Sequence, residues 1–159
     1  MRHIIIILLS GLLLATNGYA VTNKIPKTCT PLPVRGESIV FNVSKATVFL
    51  IHNLSNTAVW LIHPIKDASA SAGWNSLLQS DKWSALILNQ DKFELTCIES
   101  KPGHEQQVAC ENLISICQCP DIKVPESENI TYWAGENKNL SSLVSYIGGR
   151  GLGIPAHFL

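Results

Sequence analysis

The spacing of the cysteines constrains this chain more than any other feature. Four of the five cysteines lie between residues 93 and 119. Residues 93–99 alternate apolar and polar side chains as a half-buried strand does, and residues 107–110 have the pattern of a return strand. Proline and glycine in residues 101–104 supply turn chemistry between them. The sequence therefore predicts a hairpin in which Cys97 lies directly opposite Cys110 and bonds to it.

The remaining cysteines, Cys29, Cys117 and Cys119, allow one more disulfide and leave one thiol. A bond between Cys117 and Cys119 would close a very tight ring, so Cys29 is expected to pair with one of them. Cys117 is taken as that partner, and Cys119 is the open alternative. A zinc site is disfavoured because Cys-x-Cys lacks the usual spacer and has no matching second pair. We therefore expect no metal and no other cofactor.

The N-terminus indicates export. Arg2 precedes an apolar run at residues 4–15, and Gly18 and Ala20 stand at positions −3 and −1 of a cleavage site. The pattern predicts a secretory signal peptide over residues 1–20. A membrane anchor is disfavoured because a run of this length is too short to cross a bilayer core of ~30 Å. The sequence has no second long apolar run, so no membrane-spanning segment is expected after the signal peptide is removed. The protein is thus predicted to reach the periplasm or the exterior.

Short apolar runs separated by turn residues dominate the rest of the chain. A proline-rich arm is predicted over residues 21–36 and a single domain over residues 37–159. Strands are predicted at residues 38–43, 46–51, 58–62, 83–88, 93–99, 107–110, 112–118 and 130–134. This spacing is typical of a mainly all-β fold, and we expect a disulfide-tied antiparallel β-sandwich with one or two short peripheral helices.

Three local expectations complete the fold prediction. The polar link at residues 53–57 predicts a hairpin between two central strands. Their near-continuous apolarity predicts that this pair is buried on both faces or nearly so. Trp74, Leu77 and Leu78 have helical spacing, which predicts a short helix over the core. A second helix is predicted near residues 140–147, capped by Asn139 and ended in a left-handed turn by Gly148 and Gly149.

The charged residues exclude one class of partner. The chain has 12 basic and 12 acidic residues and no basic stripe, which argues against nucleic acid. On the predicted hairpin His52 and His63 lie about 13 Å apart at 3.3 Å per residue, too far to share one zinc ion. No nucleophile motif is present, and no histidine lies near Cys117 or Cys119 in sequence, so no catalytic residue is assigned.

One segment has the composition of a binding surface. Trp, Tyr and Arg dominate binding hot spots, and the candidate binding residues are Trp133, Glu136, Lys138 and Arg150. The alternative, which we favour, places Trp133 in the core and the rest of the segment at a helix cap.

The chain from residue 49 to residue 159 resembles the enhanced entry protein B family of Legionella and related intracellular bacteria. The resemblance lies in residues 93–98, 102–106, 110, 115–117, 133–137 and 150–151. It implies a secreted or periplasmic protein associated with entry into host cells, and it implies no catalytic residues. Cys119 departs from the family pattern.

Three functions follow as hypotheses. The first is a small exported interaction protein that serves host-cell entry, virulence or the envelope and binds a protein, envelope or cell-surface ligand. The second is a periplasmic inhibitor or cell-wall-binding accessory protein. The third is an enzyme that uses the odd thiol, and it is the least favoured because nothing in the sequence supplies a base for that thiol.

Overall fold

The computed structural model describes residues 25–63, 75–89, 92–101, 103–125, 132–133 and 135–159. The predicted signal peptide lies outside these residues. No helix in the described ranges has the length and apolarity needed to cross a membrane. The elements are β1 Thr30–Leu32, β2 Ser38–Phe41, β3 Thr47–Asn53, β4 Val59–Ile62, β5 Asn75–Leu78, β6 Trp83–Leu88, β7 Phe93–Glu99, β8 Gln106–Val108, β9 Ile114–Cys119, β10 Tyr132–Trp133 and α1 Leu140–Gly149.

These strands form two antiparallel sheets, which confirms the predicted fold class. The first sheet has the order β1-β9-β3-β6-β10. The second has the order β2-β7-β4-β5, and β8 also pairs with β7. Residues 30–32, predicted as part of the proline-rich arm, form the edge strand β1 of the first sheet.

The core between the sheets is built by alternate residues of both. Phe41 of the second sheet meets Phe49 of the first edge to face, with ring centroids 4.8 Å apart. Leu61 and Leu95 of the second sheet and Leu86 of the first join the same cluster. Burying each such side chain contributes about 1.5–3 kcal/mol, so this cluster is a main source of stability.

Strand β3 is buried on both faces, as its near-continuous apolar sequence predicted. Phe49 points into the core between the sheets. Leu50 points the other way, into a second core that α1 covers with Leu143 and Ile147. The helix therefore makes a third layer over the first sheet.

The predicted hairpin between β3 and β4 is wrong. The two strands lie in different sheets, and residues 54–58 cross from one sheet to the other. Asn53, fully buried, holds this crossing: its Nδ2 donates to the carbonyl oxygens of Thr57 at 2.8 Å and Leu78 at 2.9 Å. Its Oδ1 accepts from the Ser55 backbone N–H at 2.9 Å. A polar link between two apolar runs does not reveal whether the chain turns back or crosses over.

The helix predicted from Trp74, Leu77 and Leu78 is also wrong. Residues Asn75–Leu78 form β5, with Ser76 and Leu78 buried and Leu77 half-buried. Trp74 lies outside the described residues. Two adjacent leucines in so short a segment are compatible with one face of a helix and also with a strand that is apolar on both faces. Pairing with β4 decides for the strand.

The Cys97–Cys110 disulfide is confirmed, but the predicted register is not. Cys97 faces Val108 across the β7–β8 pair, and Cys110 follows two residues later. Their Cα atoms are still only 5.3 Å apart, within the range that a disulfide spans.

The second disulfide requires a correction. Cys29 bonds to Cys119, the open alternative, and Cys117 is a buried free thiol. The reason is the register of β1 on β9: Thr30 faces Gln118, which places Cys29 beside Cys119 and not beside Cys117.

Helix α1 begins as predicted and ends later. Asn139 caps it by accepting from the Ser142 N–H at 2.9 Å. The helix continues through Gly149, and the left-handed residue is Gly151, with φ of 92°. The Gly151 and Leu152 N–H groups bond to the carbonyls of Gly148 and Ile147, which is a Schellman ending.

Two glycines give a matched test of this ending. Gly151→Ala forces an alanine into the left-handed region and should destabilise the protein by about 1–2 kcal/mol. Gly149→Ala, in the helix with open space around its Cβ position, should leave stability unchanged or raise it by about 0.5–1 kcal/mol. Urea unfolding of both variants measures the difference, and equal stabilities would contradict the assigned ending.

Candidate functional site

Two of the predicted binding residues come together. Glu136 and Lys138 line a cavity of about 270 Å³ with Gly135 and Tyr146. The Lys138 Nζ lies 4.8 Å from the centroid of the Tyr146 ring, a cation–π contact. The cavity lies where the segment after β10 meets α1.

The other two predicted residues do not complete this site. Arg150 is the C-cap residue of α1 and does not line the cavity. The backbone of Trp133 pairs with Leu86 in the first sheet. The Trp133 side chain lies outside the described part of the structure, so its exposure stays a prediction.

The segment that carries these residues ties the two sheets together. The Lys138 backbone exchanges two hydrogen bonds with Trp83 of the first sheet. The Asn137 side chain pairs with β5 of the second: its Oδ1 accepts from the Gln79 N–H at 2.6 Å and its Nδ2 donates to the Leu77 carbonyl at 3.0 Å. Asn137 has φ of 52°, a left-handed conformation that asparagine tolerates. This clip gives the segment a structural role that hot-spot composition did not reveal.

Removing the Asn137 side chain tests the clip. Glycine accepts the positive φ, so Asn137→Gly deletes both hydrogen bonds without adding backbone strain. We expect a loss of about 1–2 kcal/mol in the free energy of unfolding. Glu136→Gln, at the exposed neighbouring position, should change stability by less than about 0.5 kcal/mol. Denaturant unfolding measures both, and an Asn137→Gly protein as stable as Glu136→Gln would show that the clip contributes nothing.

A larger groove lies on the outer face of the second sheet. Its volume is about 450 Å³, and Trp60, Ile62, Asn75, Ile98 and Glu105 line it. They come from β4, β5, β7 and the turn before β8. The volume lies within the range of about 300–1,000 Å³ that is usual for ligand sites.

Strand register explains the apolar floor of this groove. Trp60 pairs with Ile98 on one side and with Leu77 on the other, so the three form a row across the sheet. All three are only half-buried, whereas Val59 and Leu61 point inward and are fully buried. Of the two tryptophans whose side chains the structure describes, Trp83 is buried and Trp60 is accessible.

Polar groups lie at the rim of the groove. The side chains of Asn75 and Glu105 make no hydrogen bond with any residue in the described ranges. Glu105 is the one charged side chain among the described residues that line the groove, and its carboxylate attracts cationic groups of a ligand. An apolar floor with a few polar groups beside it is the usual composition of a binding pocket.

Sequence reasoning missed this groove for a definite reason. Residues 59–62 are all apolar, and the prediction assigned the whole run to a buried strand. Only period-two alternation within the run separates inward Val59 from outward Trp60, and four apolar residues in succession hide it.

A buried histidine of the first sheet, His52, pairs with the exposed carboxylate of Asp81 in the turn before β6. The His52 Nε2 lies 3.1 Å from the Asp81 Oδ1, and the ring stacks on Trp83 with centroids 4.2 Å apart. The His52 Nδ1 is buried and has no hydrogen-bond partner in the described ranges. Burial lowers the pKa of His52, and the hydrogen bond and charge of exposed Asp81 oppose that shift.

His63 has a different environment. Its Nδ1 lies 2.7 Å from the Glu94 carbonyl oxygen, and its ring stacks on Phe93. Since β3 and β4 belong to different sheets, the separation of the two histidines along one hairpin was predicted from a wrong premise.

The lowered pKa of His52 predicts a pH dependence of stability. The unfolded chain binds a proton near pH 6.5 while the folded protein resists it, so stability should be full above about pH 6.5 and fall as the pH drops below it. His52→Gln should flatten this dependence, whatever its effect at neutral pH. Urea unfolding across the range from neutral to mildly acidic pH measures the slope. A wild-type slope equal to that of the variant would contradict the assignment.

The free thiol has little access to solvent. Burial raises the pKa of Cys117 to about 12, partly offset by a backbone hydrogen bond at Leu50. The Sγ atoms of Cys29, Cys117 and Cys119 all lie within 4.8 Å of one another. They would offer three thiolates to a soft metal only after reduction of the Cys29–Cys119 disulfide. A thiolate nucleophile for an external substrate is disfavoured here.

Comparison with protein-family models, curated proteins and solved structures finds no match. The resemblance to the enhanced entry protein B family thus stays a prediction. The structural features that bear on function are the groove, the Asn137 clip and the three neighbouring sulfur atoms of Cys29, Cys117 and Cys119.

Proposed function

We propose that this protein is an exported interaction module that binds a cell-surface or envelope ligand through the groove of Trp60. The observation that supports it is the accessible row of Leu77, Trp60 and Ile98, with the polar side chains of Asn75 and Glu105 at the rim. Tryptophan is enriched at the centre of binding sites because it combines a large apolar area with few rotatable bonds.

Export rests on two features. The N-terminal sequence has the form of a secretory signal peptide. The chain also carries two disulfides, which persist in oxidising compartments such as the periplasm and the exterior. A role in host-cell entry follows from the family resemblance.

The chemistry of the groove favours a second candidate within this proposal, a glycan of the envelope or host surface. Sugars present hydroxyl groups beside flat apolar faces. An amide and a carboxylate exchange hydrogen bonds with hydroxyls, and an aromatic floor covers the apolar face. The groove thereby supports a cell-wall-binding accessory protein as well as a host-cell adhesin. A peptide ligand that inserts a lysine or arginine between Trp60 and Glu105 is the alternative.

Truncation of Trp60 tests the proposed surface. Trp60→Ala should lower binding of the mature protein to isolated envelopes or host cells by about thirtyfold or more, because a central aromatic anchor contributes about 2 kcal/mol or more. Because Trp60 is half-buried, the melting temperature of the variant is measured alongside to confirm that it is folded. Tyr146→Ala is the control, since Tyr146 lines the other cavity.

The results for the two variants distinguish the groove from the cavity as the binding site. Loss of binding in Trp60→Ala alone supports the groove. Loss in Tyr146→Ala alone moves the site to the cavity of Glu136 and Lys138, and unchanged binding in both contradicts the proposal. Competition by soluble oligosaccharides then separates a glycan ligand from a protein ligand.

A further inference from the structure

The Cys29–Cys119 disulfide has a thiol beside it. Cys117 and Cys119 are two residues apart on β9, so their side chains share a face. The Sγ atoms of the three cysteines lie within 4.8 Å of one another, so the thiol is a short movement from both sulfurs of the bond. A thiol placed in this way is the attacking group of thiol–disulfide exchange.

We propose that Cys117 exchanges with this disulfide, so that the N-terminal strand β1 is anchored alternately at Cys119 and at Cys117. The Cys117 thiol loses its proton to water, and the thiolate attacks the Sγ of Cys29. The Cys29–Cys119 bond breaks, Cys119 leaves as a thiolate, and it takes up a proton. One thiol and one disulfide exist before and after, so the step needs no oxidant or reductant.

The backbone accommodates the second anchor. A slip of β1 by two residues keeps every side chain on its original face, because the side-chain period of a strand is two. The slip places Cys29 opposite Cys117 and moves Pro31 from Cys117 to Ser115. Strand β1 has three residues, lies at the sheet edge, and contains Pro31, which has no N–H to donate.

The other disulfide of the molecule sets a precedent for offset pairing. Cys97 faces Val108 yet bonds to Cys110, two residues further on, with Cα atoms 5.3 Å apart. Cys29 and Cys117 are also offset by two residues in the present register. Cys110 lies beyond the end of β8, whereas Cys117 lies inside a regular ladder, so the second anchor needs the slip of β1. Pairing of Cys117 with Cys119 would close a tight ring within one strand, so Cys29 is the sulfur that changes partner.

Burial makes the exchange conditional. Cys117 is 1% exposed and packs in the core beneath α1, where a thiolate is unfavourable. Opening of β1 admits water to the sulfur and frees Cys29 to move. The exchange therefore responds to whatever lifts the edge strand, and it moves the anchor of the N-terminal segment by two residues, about 7 Å along β9.

Alkylation mapping tests the proposal on the mature wild-type protein. The protein is incubated in urea below its unfolding transition, quenched with acid, unfolded, and labelled with N-ethylmaleimide. Mass-spectrometric fragmentation then locates the label. We expect label on Cys117 at first and a growing share on Cys119, with the total constant at one label per chain. Cys117→Ser, which has no free thiol, should take up no label.

Two results would overturn the proposal. The first is label confined to Cys117 after hydrogen exchange of the Thr30 and Leu32 amides shows that β1 has opened. The second comes from Cys119→Ser: the exchange geometry predicts Cys29–Cys117 and Cys97–Cys110 disulfides and no titratable thiol, and two free thiols would place Cys117 out of reach. If Cys119→Ser does not fold, the alkylation mapping of the wild-type protein tests the exchange by itself.

Discussion

The burial of β3 on both faces is the constraint on which the rest of the structure depends. Strand β3 pairs with β6 and β9 along nearly its whole length, so its backbone polar groups are satisfied without water. One row of its side chains packs against the second sheet, and the other packs beneath α1. A strand of this kind needs a cover on each side, and the second sheet and the helix are those covers.

The second sheet follows from this arrangement, and so does the groove. Its inner face must supply apolar residues to the core, and the next residues along each strand then point outward. In β4 those residues are Trp60 and Ile62, which leaves apolar area accessible on the outer face. Two polar devices hold the sheets in place: Asn53 fastens the crossing after β3, and Asn137 fastens the edge of β5.

The comparison with sequence-based expectations separates local from non-local information. The bounds predicted for β6 and β7 are those of the structure, because each alternates or is apolar over a length that turn residues limit on both sides. The Asn139 cap was predicted for the same local reason. The pairing partners of the strands were not predicted. The sequences of β3 and β4 are as compatible with a hairpin as with a crossing between sheets, and only their packing against distant strands decides between the two.

The candidate sites show the same division. Cys97–Cys110 was predictable because both residues belong to one short hairpin. Cys29–Cys119 depends on the register of an edge strand ninety residues away in sequence, which no local pattern encodes. The groove combines residues of three strands and a turn, and Trp60 gave no sign of facing outward within an apolar run.

Native-state hydrogen exchange tests the central role of β3 most directly. If β3 supports both cores, the amides of residues 48–52 should exchange only through global unfolding, with the same free energy as the amides of β6. The amides of β1 and β5, at sheet edges, should exchange through smaller openings. Exchange of the β3 amides at a lower free energy than those of β6 would contradict this account, because it would mean that one cover can leave while the remainder stays folded.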